Sequence, residues 1–237
     1  FNKKKTKKMK CAIMQPSYFP WSGYFNLISK SNKFVFLNDA QYSKGSWHSR
    51  NVIIANNKQH TLTVPTKKSS LSTTIMNKLI DNSTNWQKKH TKIIMQAYSN
   101  HPFIDDLLQL IEFFEKLKFQ NLSELNIEII KFISKKMNLK TKFFYSNNFD
   151  LTNKRTTKVL QILNRINATV YLSPEGSKKY LKEDRFEELT DIKLLFNDYQ
   201  SIKYYQKNQK KFIENLSIID VIANLGWINT ETYVKQK

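Results

Sequence analysis

Apolar and polar positions follow two rhythms along this chain. Lys10 to Met14 and Lys33 to Leu37 hold short unbroken apolar runs, as expected of strands buried on both faces. Between them, Trp21 to Ser31 places Tyr24, Phe25, Leu27 and Ile28 on one helical face. Strand, loop, helix and strand make the βαβ unit of a parallel sheet. Asn51 to Pro65 predicts a hairpin turning near Asn56 and Asn57. The pattern then changes: Trp86 to Tyr98, Phe103 to Leu117 and Leu122 to Met137 each repeat at helical spacing, with Pro102 separating the first two. Lys67 to Ser83, polar and rich in Ser and Thr, predicts a mobile loop or lid.

The last third returns to alternation. Thr141 to Ser146 predicts a strand, and Asn153 a cap for a helix ending at Ile166. A strand over Ala168 to Leu172 leads into the loop Ser173-Pro174-Glu175-Gly176. A broken helix over Ser177 to Leu189 and a strand over Asp191 to Asn197 follow. Ser217 to Leu225 predicts a short helix that Gly226 stops. Two βαβ halves around a helical insert predict a three-layer α/β fold with a mostly parallel, Rossmann-like sheet.

Composition narrows the class. With 237 residues, 40% of them hydrophobic, the chain can bury a sizeable core. Residues 1–8 read as a basic linker or disordered arm, and 9–237 as a single α/β domain. The chain opens on Phe1 with its first Met at Met9, as expected of a fragment or a chain lacking its start. No apolar run approaches the roughly 20 residues that span a bilayer, and no secretory signal is visible. The one cysteine, Cys11, rules out an internal disulfide framework and a cysteine-rich zinc site; a reducing, cytoplasmic setting fits. The formal charge of +20 suggests nucleic acid, but four of the 39 basic residues are arginine: Arg50, Arg155, Arg165 and Arg185. Readers of base edges favour arginine's bidentate geometry, so no specific nucleic-acid partner is expected. Acidic small molecules, nucleotides and coenzyme A among them, would still be attracted.

Ligands of parallel α/β sheets bind beyond the carboxyl ends of strands. Three loops take that place, contributing candidates Gln15, Tyr18 and Trp21; Gln41, Lys44, Trp47, Arg50 and Asn51; and Ser173, Glu175 and Gly176. They are expected to face one crevice. Lys44 and Arg50 flank Trp47, as in a clamp for phosphates with a ring to stack on a base; a solvated basic loop is the alternative. Asp39, just beyond the second strand, is a candidate base or a turn aspartate. His48 is a candidate base or a surface histidine. His90 shares a helix face with Trp86, so it is a candidate base or a packing residue. Metal binding is not expected, since the histidines show no ligand spacing. Cys11 reads as a small buried residue.

The runs QPSYFPWSGYF (Gln15 to Phe25), FVFLNDAQ (Phe34 to Gln41) and SWHSRN (Ser46 to Asn51) resemble the WbqC-like family. So do LTVP (Leu62 to Pro65), Trp86 with His90, Tyr98 with Pro102 and Phe103, YLSPEG (Tyr171 to Gly176) with Tyr180 and Leu181, and LSIID (Leu216 to Asp220) with Asn224 and Gly226. The resemblance covers about Met9 to Gly226; Asn38 stands where the family more often has an acidic residue. It implies gene clusters for O-antigen and other surface glycans, and work on nucleotide-linked sugars. The expected activity is N-acylation, above all N-acetylation, of a nucleotide-linked amino sugar, with acetyl-CoA or another acyl-CoA as co-substrate and no metal. Asp39, His48 or His90 would take the ammonium proton, and a backbone N–H near Gly176 or the Asn51 side chain would stabilise the oxyanion. A non-catalytic sugar-nucleotide-binding module is the alternative, with a nucleic-acid-binding protein behind it. Fusion to, or tethering beside, another glycan enzyme is a further expectation.

Overall fold

The computed structural model describes residues 8–236. The lead-in predicted as a disordered arm therefore lies, apart from Lys8, outside the described residues. The chain forms two compact units interleaved in sequence.

The sheet unit comprises residues up to Met14, Leu27–Leu37 and Lys140–Asp198. It holds strands β1 (Lys10–Met14), β2 (Lys33–Phe36), β5 (Lys142–Tyr145), β6 (Val170–Pro174) and β7 (Lys193–Asn197). All neighbours are parallel, in the order β5-β2-β1-β6-β7. Helices α5 (Arg155–Arg165) and α6 (Lys178–Glu183) cover one face, burying Cys11, Ile13, Val35 and Tyr171 against Val159, Ile162 and Leu181. Ala12, Phe34 and Phe36 alternate with these and point to the other face, all fully buried. This is the expected three-layer, Rossmann-like α/β class, a parallel sheet flanked by helices.

Two details differ from the sequence reading. Lys154, not Asn153, precedes α5, and no side chain caps it. Strand β6 runs two residues further than its apolar run, because Ser173 and Pro174 continue the ladder opposite Phe196 and Asn197. Ser173 is consequently buried rather than presented by a loop. Strand order reverses between β1 and β6, so the switch point lies at Met14 and Pro174, their carboxyl ends.

The second unit comprises Gln15–Asn26, Asn38–Leu139 and Tyr199 onward. It contains the hairpin β3 (Arg50–Ala55) and β4 (Lys58–Thr63), helices α2 (Trp86–Tyr98), α3 (Ile104–Lys116) and α4 (Leu122–Lys136), and α7 (Ile218–Lys235). The helix α1 (Ser22–Ser29) begins in this unit. Asn56 and Asn57 join the hairpin at φ 51° and 58°, the left-handed pair a two-residue turn requires. Ser217 caps α7 by accepting from Ile219 N–H. Gly226 breaks that helix at φ 70° and ψ 175°, and the chain resumes helical geometry beyond it.

Asp220 is 1% exposed and has no cation beside it among the described residues. Tyr98 and Tyr204 donate their hydroxyls to its two oxygens at 3.0 and 2.5 Å, and the Gln206 amide donates at 3.2 Å. Burial raises its carboxyl pKa, opposed by those hydrogen bonds. The shared LSIID run thus anchors the unit rather than meeting solvent. Asp220→Ala leaves the Tyr98 and Tyr204 hydroxyls without their acceptor, while Gln206 keeps the Ile213 carbonyl, and should cost about 2–3 kcal/mol in urea denaturation, after allowing for the buried charge removed.

Candidate functional site

Loop Gln15–Trp21 is held in an uncommon conformation. Phe19 has φ 40°, a left-handed value rare for a bulky residue and rarer before a proline. Its carbonyl accepts from Asn51 Nδ2 and from Ser217 Oγ, both at 2.8 Å. Asn51 also donates to the Tyr18 carbonyl at 3.1 Å and accepts from Val52 N–H. Both Asn51 amide hydrogens are therefore used, and its role in this geometry is to hold the loop. Tyr18 N–H bonds the Trp47 carbonyl at 2.9 Å, lacing the two predicted loops together. Three separated segments converge on one strained peptide, and such strain persists where surrounding structure over-determines it.

The loop aims Tyr18 into an aromatic cluster. Its ring meets Phe19 edge-on at 4.7 Å, and Phe114 lies 5.1 Å from Phe19. Trp86 closes on His90 at 5.4 Å, four residues along α2 as helical spacing predicts. Tyr18 Oη and His90 Nδ1 are 2.9 Å apart. Burial lowers the His90 pKa to about 4, the Thr63 backbone opposing and Lys89 and His60 adding to the shift. Neutral at pH 7, the ring lines an open cleft of about 630 Å³ together with His60, Leu62, Thr63, Pro65 and Lys89. That volume lies within the range of small-molecule sites.

His48 is buried and enclosed, contrary to the surface-histidine reading. Ser46 Oγ gives its one hydrogen to the Ser43 carbonyl at 2.7 Å, so it accepts from His48 Nδ1 at 2.7 Å. Burial lowers the ring's pKa to about 4 and keeps it neutral. Its Nε2, 2.9 Å from the Gln15 amide, then needs a donor, which the amide supplies by a half-turn exchanging oxygen and nitrogen. Asn126 donates to the His48 carbonyl at 2.7 Å from the core side of α4. Both ring nitrogens and the backbone are thus engaged, which makes His48 a positioning residue.

The remaining candidates divide. Arg50 stacks over Trp47 at 5.7 Å, with both exposed. Lys44 is exposed and Asp39 half-buried in the same stretch. Gln41 donates to the Leu71 carbonyl at 2.7 Å. Trp21 packs on Tyr199 at 5.6 Å. Ser173, Glu175 and Gly176 belong to the sheet unit, where Glu175 pairs with Lys178 at 2.9 Å and space is open around Gly176. Cys11 is fully buried, and burial pushes its thiol pKa up, away from nucleophilic use. Sequence reasoning missed Asn126, whose signal was a polar residue within the Ile-rich stripe of α4. It also missed the rim residues His60 and Lys89, which had none.

The predicted lid is laced down. Tyr42, Ile75 and Met76 N–H groups bond the carbonyls of Thr73, Ala40 and Asn38 at 2.8–2.9 Å, and Ile75–Asn77 forms a single 3-10 turn. Among the described residues no group of three or more His, Cys, Asp and Glu could hold a metal. No helix there is long and apolar enough to cross a membrane.

A parallel α/β protein with a histidine-lined cleft in a helical insert is the class that these features define. The model of the WbqC-like protein family matches residues 15–232, and the chain belongs to that family. It is 30% identical over 219 residues to the uncharacterized protein Rv1507c of Mycobacterium tuberculosis (strain ATCC 25618 / H37Rv), across 92% of this chain and 94% of the relative. No solved structure matches it significantly.

Proposed function

We propose that the protein is an N-acyltransferase that moves an acyl group, acetyl above all, from an acyl-CoA to a nucleotide-linked amino sugar, in a surface-glycan pathway of the cytoplasm. The observation that carries the reading is the neutral His90, held by Tyr18 and lining the cleft. The amine attacks the thioester carbonyl and the C–N bond forms. The attacking nitrogen's proton becomes strongly acidic as that bond forms, so a weak neutral base suffices to accept it. The C–S bond then breaks, and the thiolate takes a proton to leave as free CoA. The step uses the tautomer in which Nδ1–H donates to Tyr18 Oη, and the ring's hydrogen bond to the Thr63 backbone must give way so that Nε2 offers its lone pair to the amine. Trp86 offers a wall for the sugar or base, and Lys89 supplies positive charge at the rim. Direct transfer needs no enzyme nucleophile, in keeping with the buried Cys11 thiol.

With acetyl-CoA and UDP- or dTDP-linked amino sugars, wild type should release free CoA. His90→Gln should lower kcat at least a hundredfold, the lower end of general acid–base effects, with KM within threefold, and Tyr18→Phe, which removes only the ring's support, should lower it about tenfold. His90→Gln turning over at the wild-type rate would remove His90 from the chemistry. The alternative, a non-catalytic carrier of a sugar nucleotide, has one observation in its favour: His48, Asn51 and Asn126 hold loops rather than present groups. Tight sugar-nucleotide binding without CoA release across the panel would select it.

A further inference from the structure

Lys78 has no use in the reading above. Its side chain is 5% exposed, yet among the described residues no carboxylate pairs with it. Its ammonium donates to the Lys67 carbonyl at 2.6 Å and to Ser69 Oγ at 2.7 Å, and lies 4.8 Å from the Tyr42 ring centre. A cation taken from water without an anion is costly, and such a group is retained where an anion completes it. Directly around it the chain runs Lys67-Lys68-Ser69-Ser70-Leu71-Ser72-Thr73, and from Ala40 to Ile80 it has no Asp or Glu. The residues of this run apart from Leu71 line an open depression of about 420 Å³.

The proton inventory points the same way. Ser69 Oγ accepts from Lys78, which leaves its own O–H to donate. Ser70 Oγ lies 3.0 Å from Ser72 Oγ and 3.2 Å from Thr73 Oγ1. Those three hydroxyls carry three hydrogens and form two mutual bonds, so at least one hydrogen is left free to donate outside the group. Several O–H donors, the exposed Lys67 and Lys68 ammonium groups and the buried Lys78 ammonium form an acceptor-seeking cradle, and Asp81 is a carboxylate close enough for Lys67 to lower its pKa. Its ligand must be rich in oxygen acceptors and negative charge.

We propose that the Lys67–Thr73 loop, backed by Lys78, is a phosphoryl-oxyanion subsite that takes a diphosphate. Lys67 is two residues beyond Pro65, which lines the His90 cleft, so one chain segment serves both. Two residues of extended chain span about 7 Å, within the length of a single sugar diphosphate or coenzyme A. The assignment deepens the acyl-transfer reading by placing a substrate's phosphates, and rests on that reading only for which substrate brings them.

The test is equilibrium binding by calorimetry without any turnover. The probes are inorganic pyrophosphate, UDP and CoA, applied to wild type, Lys67→Gln/Lys68→Gln, Ser69→Ala and the remote control Lys135→Gln/Lys136→Gln on α4. Pyrophosphate should bind wild type, weaken at least tenfold in the loop double variant and about threefold in Ser69→Ala, and stay within twofold in the control. Loss confined to UDP assigns the subsite to the sugar nucleotide, and loss confined to CoA to the acyl donor. No pyrophosphate binding, or equal weakening in the loop and control variants, would overturn the proposal. Thermal melting of each variant within about two degrees of wild type keeps folding out of the comparison. Binding that persists without acyl transfer would overturn the proposed reaction and leave the subsite standing.

Discussion

Lowering the pH from 7.5 to 5 should cost the protein about 4 kcal/mol of stability, chiefly through His48 and His90. Both pKa values fall to about 4 through burial, against an ordinary value of 6.5. The sign follows from proton counts. Between those values the unfolded chain binds more protons than the folded one, so acid favours unfolding. The stabilising contribution is whole above pH 6.5 and is lost as pH falls toward 4. Each ring can contribute roughly 3 kcal/mol over the full window, and at its steepest the pair gives about 2.7 kcal/mol per pH unit. His101 is shifted the same way by burial, whereas Asp220, raised by burial, gains stability as pH falls. Urea denaturation across pH 5 to 7.5 reads the slope. His48→Gln and His90→Gln should each remove about half of it. A slope unchanged by either variant would mean that neither ring is neutral in the folded protein.

Gly226→Ala should destabilise the protein by about 4 kcal/mol. Two independent costs combine. The φ of 70° with ψ of 175° is a conformation that side chains disfavour by about 1–3 kcal/mol. An added Cβ would also fall 2.5 Å from Phe103 Cδ1 and 2.8 Å from Asp106 Oδ2. Neither neighbour can yield freely. Asp106 accepts from Trp227 N–H at 2.8 Å, and Phe103 N–H donates to the Ala223 carbonyl at 3.2 Å. Shrinking the ring in Phe103→Ala/Gly226→Ala should relieve part of the second cost and none of the first. The double variant should thus be less destabilised than the sum of the singles, and strict additivity would show that the ring plays no part.

The sheet was legible because its strands are unbroken apolar runs between turn residues, and buried parallel strands have no polar face to blur the signal. Helices α2 to α4 were legible from their 3.6-residue stripes, with Pro102 separating the first two. The Ala168–Leu172 estimate stopped short because Ser173 and Pro174 look like loop residues, while pairing with β7 makes them strand. Gln15, Tyr18, His48 and Asn51 were visible as unusual residues, yet their roles were not. Whether an amide or imidazole faces a ligand or a backbone carbonyl depends on partners tens of residues away, as in Asn51 with Phe19 or Asn126 with His48. Lys78 was invisible because a lysine among many lysines shows no burial in sequence. The Lys67–Ser83 polarity was real, but its hydroxyls are bound to one another and to Lys78, which converts an expected lid into a laced loop.

The central claim is tested most directly by mass spectrometry of the sugar nucleotide itself. Purified protein is incubated with acetyl-CoA and a panel of UDP- and dTDP-amino sugars, with His90→Gln in parallel. One amino sugar should gain an acetyl group on nitrogen in step with free CoA, and at least a hundredfold less with the variant. No acetylated sugar from any member of the panel with wild type, or equal yields from wild type and His90→Gln, would contradict it.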